Sequence, residues 1–226
     1  GLYNGKRVTA LSTGIGTDNI DIVMTELDAL ANIDFETREV KPEHRTLNIL
    51  RIGTCGAIQP EIPLGAFIFS HISVGCDGLL NWYEGRDSIA LLDFEEAFKA
   101  HAHWDKHLPD PYFVRAGQAI IARFADCTYK GMTISASGFY GPQGRVVRQG
   151  LAMPNMLEDF ESFEFGGYKI TNFEMEGSAL AGMAAKLGHN AGPVCCALAH
   201  PYLTDAHTRH HPPAAEPIPL PPDRMT

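Results

Sequence analysis

Two arginines set in glycine-bearing segments are the residues best suited to chemistry. Arg51 interrupts the apolar run 48–53, and Thr54 follows it in the segment that contains Gly53 and Gly56. A guanidinium, a hydroxyl and free backbone N–H groups suit phosphate, which accepts bidentate, charge-assisted hydrogen bonds. An arginine at a strand end is equally compatible with an ion pair to a nearby acid or with a solvated sheet edge. The sequence alone leaves these alternatives open.

The second arginine, Arg145, ends a glycine-rich loop at residues 138–145, which also contains Phe139 and Gln143. Glutamine offers a donor and an acceptor, whereas arginine offers donors only, so the pair complements the carbonyl, N–H, carbonyl edge of a pyrimidine-dione. Phe139 could pack against the base or its sugar. The alternative is an ordinary surface loop with solvated polar ends.

Glu174 and Glu176 flank Met175 at the point where a predicted strand gives way to a predicted helix. Two carboxylates there can accept hydrogen bonds from sugar hydroxyls, or they can simply suit a helix N-terminus. A glycosidase pair would require a known separation of the carboxyl groups, which residues two apart do not establish. The segment STGIG at 12–16 likewise either brings backbone N–H groups to an anion or is only a turn.

Periodicity predicts alternating strands and helices, as in a wound α/β sheet. The predicted strands lie at 7–12, 48–53, 67–74, 132–137, 168–173 and 194–198, and the predicted helices at 20–30, 87–107 and 177–187. The length of 226 residues indicates a single domain, 1–226. Seven of the 15 prolines and four of the ten histidines fall in residues 200–226, which we expect to form an atypical tail rather than core.

Composition excludes several classes of function. The formal charge of -9, without a Lys/Arg cluster longer than two, argues against nucleic acid as a partner. No apolar window suits a membrane helix and the first residues resemble no signal peptide, so we expect no membrane partner and a cytoplasmic protein. The five cysteines lack CxxC spacing, and His103 and His107 are an isolated i, i+4 pair, so we expect no disulfide framework and no structural metal.

Four segments, taken in order, resemble the nucleoside phosphorylase family, and most closely its uridine phosphorylase branch. They are 12–16, 49–59, 138–145 and 172–180, and the similarity extends from about residue 7 to about residue 199. The resemblance implies an α/β three-layer sandwich around a mixed, distorted barrel-like β-sheet, assembled as homodimers or as hexamers built of dimers. It also implies reversible phosphorolysis of uridine to uracil and ribose 1-phosphate in pyrimidine salvage. Nucleoside and inorganic phosphate would be the ligands, with no further cofactor.

By the same resemblance, residues of these segments take defined roles. Arg51 and Thr54 match phosphate ligands, while Glu174, Met175 and Glu176 match ribose contacts. The base pocket is matched by Gly56, Phe139, Gln143 and Arg145. The residues expected to act in catalysis are Arg51, Gln143, Arg145 and Glu176.

A monovalent cation is a further candidate ligand. Ile15 and Asn19 align with positions that contribute to a cation site in the family, although serine is commoner than asparagine at the second position. Purine-specific relatives generally lack the Gln/Arg pair and place a catalytic aspartate after the last core strand, where this chain has Ala199 and His200. The resemblance therefore favours a pyrimidine substrate.

Two departures from the family pattern keep other functions open: the segment missing before Gly1, and the proline-rich tail at 200–226, which resembles nothing in the family. Family members begin with a further strand, a glycine-containing phosphate loop and another phosphate-binding arginine, and none of these precedes Gly1 here. If the chain is whole, its phosphate site is expected to be incomplete and its activity is in doubt. The alternatives are a noncatalytic nucleoside-binding paralogue, a nucleosidase that uses water, and a purine nucleoside phosphorylase.

Overall fold

Strands and helices alternate along most of the chain. The structure, a computed structural model, describes residues 1–124, 126 and 129–200. The helices are α1 Thr17–Asn32, α2 Leu92–His101, α3 Gln118–Phe124, α4 Met156–Ser162 and α5 Gly177–Lys186. The strands are β1 Leu2–Tyr3, β2 Lys6–Arg7, β3 Asn48–Ala57, β4 Phe67–Gly75, β5 Tyr112–Arg115, β6 Tyr129–Ser135, β7 Glu164–Phe165, β8 Tyr168–Glu174 and β9 Asn190–Ala199.

Five strands close into a mixed, barrel-like sheet in the order β3-β9-β4-β6-β8. Strand β8 returns to β3 where Gly56 pairs with Phe173 and Ala57 with Asn172. The pairs β3/β9, β4/β6 and β6/β8 are parallel, whereas β9/β4 and β8/β3 are antiparallel. Strands β5 and β7 extend the sheet beside β4 and β8. This architecture confirms the predicted α/β fold around a distorted, mixed sheet.

Helices cover the sheet through apolar faces. Helix α1 turns Ile20 and Met24, four residues apart on one helical face, into a buried cluster with Leu180 and Met183 of α5. The small residues of α5 let it lie close to β9 and β4. A second, larger cluster rich in phenylalanine lies between α2, α4 and the sheet. The two predicted helices α1 and α5 thus pack against each other and against the first residues of β9.

Two of the sequence-based element predictions are wrong in extent. The strand predicted at 7–12 ends at Arg7 in the structure, and residues 8–14 form no strand. A strand requires hydrogen bonds to a neighbour, and none of the described strands pairs with residues 8–12. The helix predicted at 87–107 is only α2, preceded by a 3-10 turn at Arg86–Ser88 and followed by His103 in the left-handed region at φ 46°.

The remaining predicted elements are present, with longer or shifted ends. Five short helices and strands among the described residues were not predicted, namely β1, β5, β7, α3 and α4. None of the described helices is long and apolar enough to cross a membrane. Of the predicted tail at 200–226, all but His200 lies outside the described residues.

Candidate active site

Arg51 projects from β3 over a glycine. A Cβ atom at position 53 would lie 2.9 Å from Cζ of Arg51, so only glycine leaves room for the guanidinium in this position. Residues two apart on a strand share one face, which is why the side chain of Arg51 reaches Gly53. The Arg51 side chain is only 16% exposed, so most of the guanidinium is shielded from water.

Two carboxylates engage the Arg51 guanidinium. Nη1 lies 3.2 Å from Oε2 of Glu174, and Nη2 donates to Oε2 of Glu176. Nη1 also contacts Sγ of Cys195 on β9, at 3.5 Å. Burial lowers the pKa of Arg51, but Glu174, Cys195 and Glu176 raise that pKa by more, so it lies above its ordinary value. Of the alternatives that the sequence left open, the structure therefore contains the ion pair.

Glu174 is a buried carboxylate that caps helix α5. It accepts the N–H of Glu176 at 2.9 Å and that of Gly177 at 2.8 Å, and the hydroxyl of Ser135 donates to it. Burial raises the pKa of Glu174, and the Arg51 charge and these donors oppose that rise. Each oxygen of Glu174 is therefore already used within the protein, as expected for an acid at a helix N-terminus.

Glu176 links the two helix N-termini. Its side chain accepts the N–H of Gly16, at 2.8 Å, directly before α1 begins at Thr17. Gly16 has a φ of 95°, which lets the STGIG turn present this N–H. The turn thus holds an anion at the positive end of α1, and the anion is the carboxylate of Glu176. Arg51 and the first turns of α1 and α5 converge on this point.

The second group of predicted residues forms a compact cluster of its own. Nη1 of Arg145 donates to Oε1 of Gln143 at 2.5 Å and to the carbonyl oxygen of Phe139 at 2.6 Å. Cζ of Arg145 lies 4.0 Å from the centroid of the Phe139 ring, a cation–π contact. Gln143 is buried, and Phe139 is half exposed. Burial lowers the pKa of Arg145, with Tyr140 opposing.

Strand β3 connects the two clusters. A Cβ atom at Gly56 would lie 3.8 Å from Nη2 of Arg145, just as Gly53 lies beneath Arg51. Gly53 and Gly56 are three residues apart, which on a strand is ~10 Å, and the register of β3 against β9 shifts between Cys55 and Gly56, so the regular alternation of faces is interrupted between the two glycines. That spacing is comparable to the long dimension of a nucleoside. The two guanidinium groups therefore stand at opposite ends of one stretch of β3.

The sequence matches the model of the phosphorylase superfamily over residues 1–216. The chain belongs to the phosphorylase superfamily. Uridine phosphorylase of Escherichia coli (strain K12) is 31% identical over 198 residues, covering 84% of this chain and 63% of that protein. Uridine phosphorylase of Thermococcus kodakarensis is 28% identical over 203 residues, covering 88% and 60%.

Other superfamily members match at similar levels. A DeoD-type purine nucleoside phosphorylase of Psychromonas ingrahamii is 28% identical, covering 84% of this chain and 62% of that protein. Among solved structures, a Trypanosoma brucei nucleoside phosphorylase described as showing uridine phosphorylase activity has a TM-score of 0.73. It is 27% identical, covering 86% of this chain and 73% of that chain. The chain spans somewhat less than two thirds of the length of these curated relatives.

Not every predicted site residue joins these clusters. Thr54 is exposed and lies three residues from Arg51, and an odd spacing on a regular strand directs side chains to opposite faces. Met175 is half-buried in the turn between β8 and α5, beside the two glutamates. Asn19 donates through Nδ2 to the carbonyl oxygen of Ile15. A cation is held by oxygens, and the Ile15 carbonyl and Oδ1 of Asn19 are the oxygens that these residues offer, so the cation site stays a prediction.

One set of residues has ligand atoms close enough for a metal ion, in the part of the chain that is described. Asp28, His44 and His189 bring one such atom each within 4.8 Å of the others. The backbone N–H of Leu47 donates to Nδ1 of His189, so in the neutral ring the proton is on Nε2 and faces Asp28 at 3.1 Å. Metal binding through Nε2 would need that proton on Nδ1 instead. The donor set therefore fits a hydrogen-bonded linkage and not a metal centre.

Three residues of the site were not assigned a role from the sequence. Gly53 makes room for Arg51, Cys195 contacts its Nη1, and Ser135 donates to Glu174. Gly53 was recognisable as a neighbour of Arg51. Ser135 and Cys195 lie on other strands, so only the strand pairing reveals them, since Ser135 pairs with Glu174 and Cys195 with Gly53.

Proposed function

We propose that the chain acts as a uridine phosphorylase, cleaving the N-glycosidic bond of uridine with inorganic phosphate to give uracil and ribose 1-phosphate. The observation that carries the proposal is the placement of Arg51 over Gly53 and of Arg145 over Gly56, at either end of one stretch of β3. The names of the relatives described above, several of them uridine phosphorylases, point to the same substrate. Such an activity belongs to pyrimidine salvage.

Phosphate is proposed to bind at the Arg51 end. The Glu176 carboxylate, which accepts from Arg51 and from the Gly16 N–H, is itself an anion, and this supports an anion-binding role for the position. Phosphate would take over these donors and attack the anomeric carbon. Phosphate is the nucleophile, so the protein supplies position and electrostatic stabilisation. Thr54 remains a predicted further contact, although its exposed side chain is directed away from Arg51.

The ribose is proposed to bind between the two guanidinium groups. Glu176 would accept hydrogen bonds from sugar hydroxyls once it leaves Arg51, with Met175 beside it. Glu174 is a poorer candidate for direct contact, because its oxygens already accept two backbone N–H groups and the Ser135 hydroxyl. Its role is instead to fix Arg51, which it contacts at 3.2 Å.

Uracil is proposed to bind at the Gln143–Arg145 end. The bond from Arg145 to Oε1 of Gln143 leaves the amide nitrogen of Gln143 as a donor, and a carbonyl oxygen can accept a second hydrogen bond. The pair then offers donors to the two uracil carbonyls and an acceptor to the N–H between them. Arg145 and Gln143 would also stabilise the charge on departing uracil, with Phe139 against the base or the ribose.

The oligomeric assembly and the cellular location of the protein are proposals as well. We expect a cytoplasmic protein that forms homodimers or hexamers built of dimers, as the family resemblance implies. Light scattering on the purified chain would measure the number of copies directly, and a monomer at all concentrations would contradict this expectation.

The decisive experiment measures uracil release from uridine with and without phosphate. Phosphate-dependent release that also forms ribose 1-phosphate is the expected result. Release that needs no phosphate would identify a nucleosidase, and uridine binding by calorimetry without turnover would identify a noncatalytic binder. Faster phosphorolysis of inosine than of uridine would support the purine alternative, which the DeoD-type relative favours.

A further inference from the structure

Ser135 ends strand β6 at the position that pairs with Glu174 on the neighbouring parallel strand β8. Both residues are buried, and the Ser135 side chain has no access to solvent. Its hydroxyl lies between two partners: it donates to Oε1 of Glu174, and it accepts the N–H of Ser178 at 2.8 Å. Ser135 therefore connects the sheet, the first turn of α5 and the carboxylate that pairs with Arg51.

The direction of these hydrogen bonds is fixed by chemistry. A backbone N–H can only donate, so the Ser178 N–H occupies a lone pair of the Ser135 oxygen. The single hydroxyl hydrogen is then left for Oε1 of Glu174. The other oxygen, Oε2, faces Arg51 at 3.2 Å and accepts the Glu176 N–H. Ser135 thus selects which edge of the carboxylate is turned toward Arg51.

We propose that Ser135 is a positioning residue for the reaction: its hydroxyl holds the Glu174 carboxylate in the orientation that aims Arg51 at phosphate. The proposal rests on the proposed function for its kinetic consequence. Ser135 itself touches neither phosphate nor nucleoside and acts through Glu174. Losing its hydroxyl leaves Oε1 with the Gly177 N–H as a remaining partner at 2.9 Å.

The same contact makes the site sensitive to pH. The charged or titratable groups that face Glu174 are Arg51 from β3, Cys195 from β9 and Glu176 from the turn before α5. A hydroxyl donor favours the ionised carboxylate, so its removal raises the pKa of Glu174 further. As the pH falls, Arg51 then loses the ionised form of Glu174, one of its two carboxylate partners, at a higher pH than in the wild type.

The test compares Ser135→Ala with wild type across pH. We expect the acidic limb of kcat/KM for uridine phosphorolysis to move up by about one to two pH units, the shift that corresponds to one hydrogen bond to a charged group. We also expect the KM for phosphate to rise more than the KM for uridine. Ser70→Ala is the matched control, because Ser70 is equally buried and its hydroxyl contacts Thr133 in the same sheet. That variant should leave the acidic limb unchanged.

A second readout separates this inference from the proposed function. The pKa of Glu174 can be followed by NMR of the carboxyl carbon, assigned with Glu174→Gln, in protein that need not turn over. A higher pKa in Ser135→Ala supports the positioning role even if the wild type fails to cleave uridine. An unchanged pKa of Glu174, or a raised pKa with an unmoved acidic limb in an active enzyme, would overturn it. If Ser135→Ala does not fold, Ser135→Cys keeps a weak donor and should show a smaller shift in the same direction.

Discussion

Arg145 makes contacts that a lysine or a neutral residue could not reproduce together. Its guanidinium stacks over the Phe139 ring while Nη1 bridges the Gln143 amide and the Phe139 carbonyl oxygen. A planar fork can stack and donate at the same time, whereas an ammonium is a point charge. Arg145 therefore both shapes the loop and presents its remaining donors, with Nη2 above Gly56.

Replacing Arg145 by alanine tests the proposed base pocket. Removing one preorganised donor to a developing charge typically lowers the rate by about a hundredfold to a thousandfold, so we expect Arg145→Ala to reduce kcat/KM for uridine by that factor. Arg148→Ala is the matched control, because Arg148 is an exposed arginine three residues further along. We expect near wild-type rates from the control. An Arg145→Ala enzyme as fast as wild type would remove Arg145 from the mechanism.

At the scale of elements, a buried histidine joins three segments. His189, in the turn after α5, accepts the Leu47 N–H ahead of β3 and donates to Asp28 of α1. Burial lowers the pKa of His189, and Asp28 partly opposes this. Protonation at Nδ1 would also turn this nitrogen into a donor, which would then face the N–H of Leu47, itself a donor. The folded state therefore binds this proton less readily than the unfolded chain does.

This linkage predicts a pH dependence of stability. Because the folded pKa lies below the unfolded value, stability is complete above about pH 6.5 and is lost as the pH falls below it toward the folded pKa. We expect His189→Asn, which keeps an acceptor for Leu47, to lower the free energy of unfolding at pH 8 but to flatten its decline below pH 6.5. Urea unfolding at several pH values measures this. His107→Asn, at an exposed position, is the control, and equal slopes for wild type and His189→Asn would contradict the prediction.

The elements also show what the sequence could and could not predict. Helices α1 and α5 and strands β4 and β8 were predicted because each carries a periodic apolar pattern long enough to be recognised. Short elements such as β5 and α3 carry too few residues for a period. The predicted strand at 7–12 has strand-like composition, but composition does not supply a hydrogen-bonding neighbour.

In the candidate site, the sequence likewise pointed to individual residues but not to the contacts between them. Arg51 was singled out because it interrupts an apolar strand, Gln143 and Arg145 because an amide and a guanidinium lie two residues apart in a glycine-rich loop. Glu176 was singled out at the junction of a strand and a helix, and the roles of all four came from the family resemblance. Their partners were not predictable, because the contact of Arg51 with Glu174 joins residues far apart in the chain. Pairing across β3, β6, β8 and β9 decides such contacts, and it depends on register, which one sequence does not specify.

At the scale of the whole molecule, the phosphate of the proposed reaction would have to bind a chain whose formal charge is -9. The positive groups that could hold it are local: Arg51 and the first turns of α1 and α5. Two acids of the site already occupy these donors. If phosphate binds as proposed, the free energy of binding includes the cost of breaking the contact between Arg51 and Glu176, and a ligand that draws Glu176 away lowers that cost.

Nucleoside and phosphate should consequently stabilise the fold synergistically. A nucleoside whose hydroxyls engage Glu176 releases Arg51, and phosphate on Arg51 releases Glu176, so each ligand strengthens binding of the other. We expect phosphate and a non-cleavable uridine analogue together to raise the melting temperature by more than the sum of the rises with phosphate alone and with the analogue alone. Ribose 1-phosphate, which carries both the sugar and the phosphate group, should also raise it by more than that sum. Glu176→Gln, which weakens the ion pair to Arg51 while keeping an amide of similar size, should tighten phosphate binding alone and reduce the synergy. Strictly additive rises in the wild type would show that Arg51 and Glu176 do not compete with the substrates.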